Sequence, residues 1–367
     1  MEKVLIKDVT RYLESIAPKA FQEAYDNSGL LTGNPDDQLA GVLVTLDCTE
    51  AVVEEAIKLK CNLIVAHHPI IFKGLKKLTG QNYVERTIIK AIKNEVAIYA
   101  VHTNLDNVQT GVNRKIAEKL GLQNLRILSP SRNTLSKLVT FIPEANTVKV
   151  MDALYKAGAG QIGKYKNCSF TTSGSGTFLS GEDSNPHLGK RGQAQEVKEN
   201  RVEVLFQNHM ETQLLTALKQ AHPYEEVAYY ISRLENENQE VGAGMIGELK
   251  AAEEPKAFLA RLKKVMKSGC VRYTALIERP VKKVAICGGS GSFLVSQAMQ
   301  AGADVFVSAD FKYHEFFDAE GQIIIADIGH FESEQYTKEL LKEVLEEKFP
   351  TFAINFSNTV TNPISYL

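Results

Sequence analysis

Short, unbroken apolar runs separated by amphipathic stretches constrain this chain more than any other feature of its 367 residues. "GVLVTLD" (Gly41 to Asp47), "NLIVAHH" (Asn62 to His68) and "VAIYAVHTNLD" (Val96 to Asp106) alternate with "CTEAVVEEAIKLK" and "YVERTIIKAIKNE", whose apolar positions recur at helical spacing. A run without polar alternation suits a strand covered on both faces, which is the condition of parallel strands flanked by helices. The scheme returns from Val281 with "VKKVAICGGSG", "SFLVSQAMQAG", "ADVFVSAD" and "QIIIADIGH", and closes on a helix, "SEQYTKELLKEVLEEKF". The pattern predicts an α/β protein with two related α/β halves that share one sheet system.

From about Pro130 to Gly242 the pattern changes. "KLVTFIP", "NCSFTTSGSGTFLS", "RVEVLFQNH" and "EEVAYYISRL" read as strands, and "NTVKVMDALYKAG" and "METQLLTALKQAH" as helices. Their order is β-α-β-β-α-β, the split βαβ arrangement of a ferredoxin-like domain. The polar "SGEDSNPHLGKRGQAQEVKEN" reads as a loop between the middle strands, with "LSPSRNT" and "NENQEVGAG" as boundary segments. The expected organisation is a first α/β half over residues 1–129, an inserted α+β domain over 130–242, and a second α/β half over 243–367.

A chain of this length with 44% apolar residues can bury substantial cores. Its 42 Lys+Arg against 44 Asp+Glu leave no global charge to capture nucleic acid or an acidic membrane surface. The opening "MEKVLIKDVTRYLESIAPKAF" alternates charge with apolar residues, unlike a signal peptide, and no run reaches membrane-spanning length, so a cytoplasmic location is expected. The five cysteines, Cys48, Cys61, Cys168, Cys270 and Cys287, are odd in number and never form a Cys-x-x-Cys pair. They read as small buried apolar residues, so any metal would rely on histidine and carboxylate.

Ligands of open α/β sheets bind beyond the carboxyl ends of the strands, where loops converge and helix N-termini point at the crevice. Here the predicted strands end in Asp47, His67 with His68, His102 and Asp106, Ser290, Asp310 and His330, and His314 follows Asp310 closely. Pro69 biases His68 toward an extended conformation and places the histidine pair where the strand breaks into a loop, so that both rings can converge on one pocket. Asp106 lies four residues after His102 and Glu334 four after His330, and the second spacing puts both side chains on one face of a helical turn. Three histidines and two carboxylates from three strand ends suit zinc, iron or manganese. Two ions about 3.5–4 Å apart, bridged by a carboxylate, would use such a set fully.

Plainer readings stand beside these. Glu332 and Glu334 could complement a helix dipole, Asp106 could cap a turn or the helix "GVNRKIAEKL", and His102 could support the site by hydrogen bonding. "CGGSGSF" (Cys287 to Phe293) resembles a phosphate-cradling turn, but it lacks the dinucleotide spacing and the Lys of a P-loop, and a tight strand-to-helix turn accounts for it. Lys73, Lys76 and Lys77 in "FKGLKKLTG" could meet an anionic substrate or form a solvated loop.

Together, "AHHPIIFKGLKKL", "AVHTNLDN" and "GHFESEQ", with "YDNSGLLTG" near the start, resemble the Nif-three-like family, whose members are often named GTP cyclohydrolase type-two homologues. The resemblance implies metal ligation by His67, His68, Asp106, His330 and Glu334, and a toroidal homohexamer with a two-metal site inside the ring. Zinc is the first expectation, with iron or manganese as alternatives. The middle segment, through "AHPYEEVAYYI", is similar to the PII and CutA folds inserted in some bacterial members. The expected function is a metal-dependent hydrolase acting on a nucleotide or other phosphate-bearing small molecule, with GTP ring opening as the named possibility. His102, Asp310 and His314 are supporting or proton-transfer candidates. The alternative is a non-enzymatic metal-binding or regulatory hexamer whose inserted domain senses a ligand or gates the ring. Nucleic-acid binding through the ring has little support in the charge balance.

Overall fold

A computed structural model describes residues 3–367. The chain divides into two compact units, the first built from residues up to Ser129 together with Glu240–Leu367, the second from Pro130–Gln239.

The first unit holds two sheets. Strands β1 (Gly29–Thr32), β2 (Val42–Thr45), β3 (Leu63–Ala66), β4 (Ala97–Ala100) and β15 (Ile354–Phe356) lie in the order β1-β4-β3-β2-β15, parallel throughout except for the antiparallel edge strand β1. Every residue of β2, β3 and β4 is buried, which is why their sequences carry no polar alternation. One face, through Leu43, Ile64 and Ile98, packs on Val52, Val53, Ile88 and Ala91 of the helices Glu50–Lys58 and Tyr83–Lys93. Thr49 and Asn82 start these helices by accepting bonds from the N–H groups of Val52 and Glu85.

The other sheet holds β5 (Gln123–Ser131), β10 (Asn238–Glu253), β11 (Arg272–Tyr273), β12 (Val281–Ser290), β13 (Val305–Ala309) and β14 (Ile324–Asp327), in the order β11-β14-β13-β12-β10-β5. Strands β12, β13 and β14 run parallel, and β10 and β11 pair antiparallel with β12 and β14. The halves therefore do not form a single sheet, although each lends an edge strand to the other's: β15 pairs with β2, and β5 lies beside β10. They share a core: Val42, Val44, Val65 and Tyr99 of the first sheet cluster with Val284, Ile286, Val305, Val307 and Ile324 of the second. An unbroken apolar run requires cover on both faces but does not say what supplies it, and here a second sheet does so on one side.

The second unit is a four-stranded antiparallel sheet of β6 (Leu135–Pro143), β7 (Ser169–Leu179), β8 (Ala194–Gln207) and β9 (Tyr229–Leu234), in the order β7-β8-β6-β9. Helices Thr147–Lys156 and Glu211–Ala221 bury Val150, Leu154, Leu214 and Leu218 against Leu138, Ile142, Val202 and Val204. Both segments read as loop boundaries are largely strand: β5 runs through Pro130 to Ser131, and β10 begins at Asn238. Pro130 is tolerated because β5 is an edge strand with no outer neighbour to receive its missing N–H. The expected loop after β7 is also shorter, since "AQEVKEN" pairs with β7 from Ala194↔Leu179 onward.

Cys48, Cys61 and Cys287 are buried, but Cys168 is only partly so and Cys270 is exposed; all five are free thiols. Among the described residues, no helix is long and apolar enough to cross a membrane.

Candidate metal centre

Four histidines converge where the strands of the first unit end. β3 stops at Ala66, and the next two N–H groups, of His67 and His68, both donate to the carbonyl of Leu46, at 3.1 and 2.9 Å. That double bond ends the regular alternation of side chains, so consecutive rings serve one site. After β4 the chain forms a single helical turn, Thr103–Asp106, in place of the expected loop. After β14 it forms a five-residue helix, His330–Glu334, separate from the helix Thr337–Lys348 with which the sequence pattern had merged it.

Each ring is held through Nδ1. His67 Nδ1 meets the carbonyl of Val101 at 2.8 Å, His68 Nδ1 meets Asp47 at 2.7 Å, His102 Nδ1 meets Asp26 at 2.7 Å, and His330 Nδ1 meets Asp310 at 2.6 Å. Fixing Nδ1 this way leaves Nε2 as the free donor atom and sets the ring's direction, as in metal-binding histidines generally. Glu334, 3% exposed, lies between them. Its Oε2 is 2.9 Å from His68 Nε2 and 3.1 Å from His330 Nε2, while its Oε1 is 3.7 Å from His67 Nε2, itself 3.6 Å from Asp106 Oδ1. His67 Nε2 and Asp106 Oδ1 are buried with no hydrogen-bond partner. Buried polar atoms are rarely left so, and two facing each other beside a carboxylate mark a place for a cation.

The electrostatics agree. Burial pushes His68 and His330 toward neutrality, but Asp47, Asp310 and Glu334 outweigh it and hold them at about 10 and about 11. Burial raises Glu334 too, yet the charge of His330 and hydrogen bonds from the histidines keep it well below the usual carboxylate range. Asp106 is pushed well up by burial and by the charge of Glu334. Protons thus occupy positions that a divalent ion would take. The cluster can hold a metal ion: its donor atoms form the groups His67–Asp106–Glu334, His68–His330–Glu334 and His67–His68–His102, each within 4.8 Å.

A family model described as Duf34/NIF3 (NGG1p interacting factor 3) matches residues 4–363. The chain belongs to the Duf34/NIF3 family. It is 37% identical over 365 residues to the "GTP cyclohydrolase 1 type 2 homolog" of Halalkalibacterium halodurans, with 98% of each covered, and 36% identical over 371 residues to that of Bacillus subtilis, again with 98% of each covered. A solved structure, the Bacillus cereus protein related to NIF3, superposes over the full length of both chains with a TM-score of 0.87 at 36% identity.

Within this Duf34/NIF3 chain, Gly288 and Gly289 acquire a reason beyond turning the strand. A Cβ on Gly289, whose φ is +64°, would lie 2.4 Å from Glu334 Oε1, so the glycines let the carboxylate pack against backbone. Their N–H groups donate to Asn113 and Ser333, leaving none to cradle a phosphate. Asp310 supports His330, also accepting from Ser290, and His102 sits within the histidine cluster. His314 does not join them: it is exposed beside Tyr313 and Phe317 in the 3-10 turn after β13. Lys73, Lys76 and Lys77 are exposed and do not line the cavity of about 700 Å³ that opens on the site.

Sequence reasoning missed Asp26 as the partner of His102, although it lies in "YDNSG"; its carboxylate also accepts from the N–H and hydroxyl of Thr103. It missed Thr361 entirely, whose hydroxyl donates to Asp47 at 2.6 Å and so reaches His68 at one remove. Thr361→Val keeps the shape and removes that bond. Metal affinity is expected to fall about tenfold with the melting temperature of the metal-free protein nearly unchanged; unaltered affinity in a chelator competition would show that Asp47 needs no such support.

Proposed function

We propose that the protein is a metal-dependent hydrolase that acts on a nucleotide or another phosphate-bearing small molecule. His67, His68, Asp106, His330 and Glu334 would hold two divalent ions, with zinc the first choice and iron or manganese compatible with the same nitrogen and oxygen donors. The observation that carries this reading is the division of Glu334, one oxygen facing the orphaned His67 and Asp106 atoms, the other facing His68 and His330. Divalent ions in such a set polarise a phosphoryl or carbonyl oxygen and acidify water.

The chain's own residues then have distinct tasks. Asp47 and Asp310 orient His68 and His330, and Asp26 fixes His102 so that its Nε2 can accept or return a proton beside the cluster. Tyr25 and Phe72, stacked with centroids 6.2 Å apart, line the cavity with Phe293 and offer apolar faces to a planar base. The name carried by the relatives, GTP cyclohydrolase 1 type 2 homolog, supports a nucleotide, with GTP ring opening as one reaction to test. Family membership also supports a toroidal homohexamer, and the β-α-β-β-α-β order supports reading the second unit as a ferredoxin-like insertion of the PII/CutA kind.

The test is to load the protein with zinc, manganese or iron and screen GTP, other nucleotides, cyclic nucleotides and phosphoesters. Asp106→Asn and His68→Ala are each expected to lower turnover about a hundredfold or more. Turnover that survives both substitutions would defeat the mechanism, and full metal occupancy without turnover on any substrate would favour the regulatory role instead.

A further inference from the structure

The second unit has a cavity of its own, of about 480 Å³, lined by β7, the loop after it and the segment leading into β9. At its side lies Glu199, 8% exposed. Glu199 Oε1 accepts a hydrogen bond from the Tyr224 hydroxyl at 2.8 Å. Tyr224 is itself fixed: its N–H donates to His222 Nδ1 at 3.1 Å, which leaves His222 Nε2–H to donate to the carbonyl of Phe141 at 2.9 Å. That arrangement satisfies a neutral imidazole, so His222 supplies no positive charge. Gly176 leaves space for the carboxylate, because a Cβ there would lie 2.1 Å from Glu199 Oε2.

No lysine or arginine lines this cavity; His187 does, its ring 6.2 Å from that of Tyr224, while the two carboxylates of Glu225 and Glu226 add negative charge to that of Glu199. A buried carboxylate without a cation is costly, and a site with this balance repels phosphates and nucleotides. Two aromatic pairs complete the wall: Phe178 with Tyr224, centroids 6.3 Å apart, and Phe141 with Tyr230, 5.9 Å apart and nearly perpendicular. Aromatic rings beside a carboxylate are the chemistry that receives ammonium groups. A metal ion fits less well, because every three-donor group found among the described residues belongs to the first unit. The volume falls within the range of about 300–1,000 Å³ typical of small-molecule sites.

We propose that this cavity binds a small organic cation, an amine or quaternary ammonium compound whose charge meets Glu199 and whose carbon groups pack on Phe141, Phe178, Tyr224 and Tyr230. Its lining residues all belong to the second unit, so the proposal does not rest on the metal centre or on any reaction there. It gives the inserted unit a ligand of definite chemistry.

The experiment is calorimetric titration of the full chain with choline and spermidine as cationic probes, and ATP and zinc as controls. At least one cation should saturate one site per chain. Glu199→Gln should weaken that binding at least about thirtyfold, and Phe178→Leu, which leaves the carboxylate intact, about fivefold to tenfold. The proposal fails if neither cation saturates below about 10 mM, if both variants bind as the parent does, or if ATP or zinc binds in a manner lost in Glu199→Gln.

Discussion

Glu334→Gln is expected to weaken metal binding at both halves of the centre, by about a hundredfold or more at each, since one donor in a set of three carries roughly a third of the binding free energy. Asp106→Asn should affect only the half that contains His67, so that a chelator competition finds one ion lost and one retained. The two variants also part company without metal. Glu334 is the ionised partner of His68 and His330 at Nε2, and its loss leaves each half-buried ring with one carboxylate, Asp47 or Asp310, in place of two. Losing one buried charged partner while the rings keep the other costs about 1–3 kcal/mol, which urea unfolding of the metal-free protein would register. Asp106 is pushed well up by burial and by Glu334, so its charge adds less to that state, and asparagine should cost less there than glutamine at 334. The opposite ranking in metal-free protein would show that Asp106 carries the charge.

Acidification is expected to expel the metal while steadying the empty protein. With His68 at about 10 and His330 at about 11, both rings are protonated at neutral pH before metal enters. Binding must displace about two protons, so the apparent dissociation constant should rise roughly a hundredfold for each unit of pH lost between about 9 and 7. The empty protein moves the other way. A histidine whose folded pKa is raised contributes stability that is fully present below its unfolded value of 6.5 and is lost as pH rises through its folded value, here about 10 to 11. Calorimetry in buffers of different ionisation enthalpy reads the proton release directly, and a heat independent of buffer would refute the protonated rings.

The sequence patterns located the clustered side chains better than the scaffold. His67, His68, Asp106, His330 and Glu334 were legible because strand ends collect polar residues and because a spacing of four survives even when the helix is one turn long. His314 looked equally placed, yet the chain turns at Asp310, whose φ is +58°, and the exposed 3-10 segment leads it away into Tyr313 and Phe317. The two-sheet arrangement was illegible because burial on both faces reads the same whether helix or sheet covers a strand. Thr361 and Asp26 were illegible for another reason: one hydroxyl or carboxylate in a polar segment has no period, and only contact over 314 and 76 residues gives it meaning.

The five proposed donors of the metal centre come from both sides of the inserted unit, three before residue 130 and two after residue 239. A nascent chain that has emerged only through the insertion therefore owns His67, His68 and Asp106 but neither His330 nor the carboxylate that faces both halves. The order of synthesis postpones the complete centre until Glu334 has left the ribosome, and the support that Thr361 gives Asp47 comes later still. Metal capture then reports on a chain made at least through Glu334, and a product that stops between the insertion and that residue would be distinguished by its empty site.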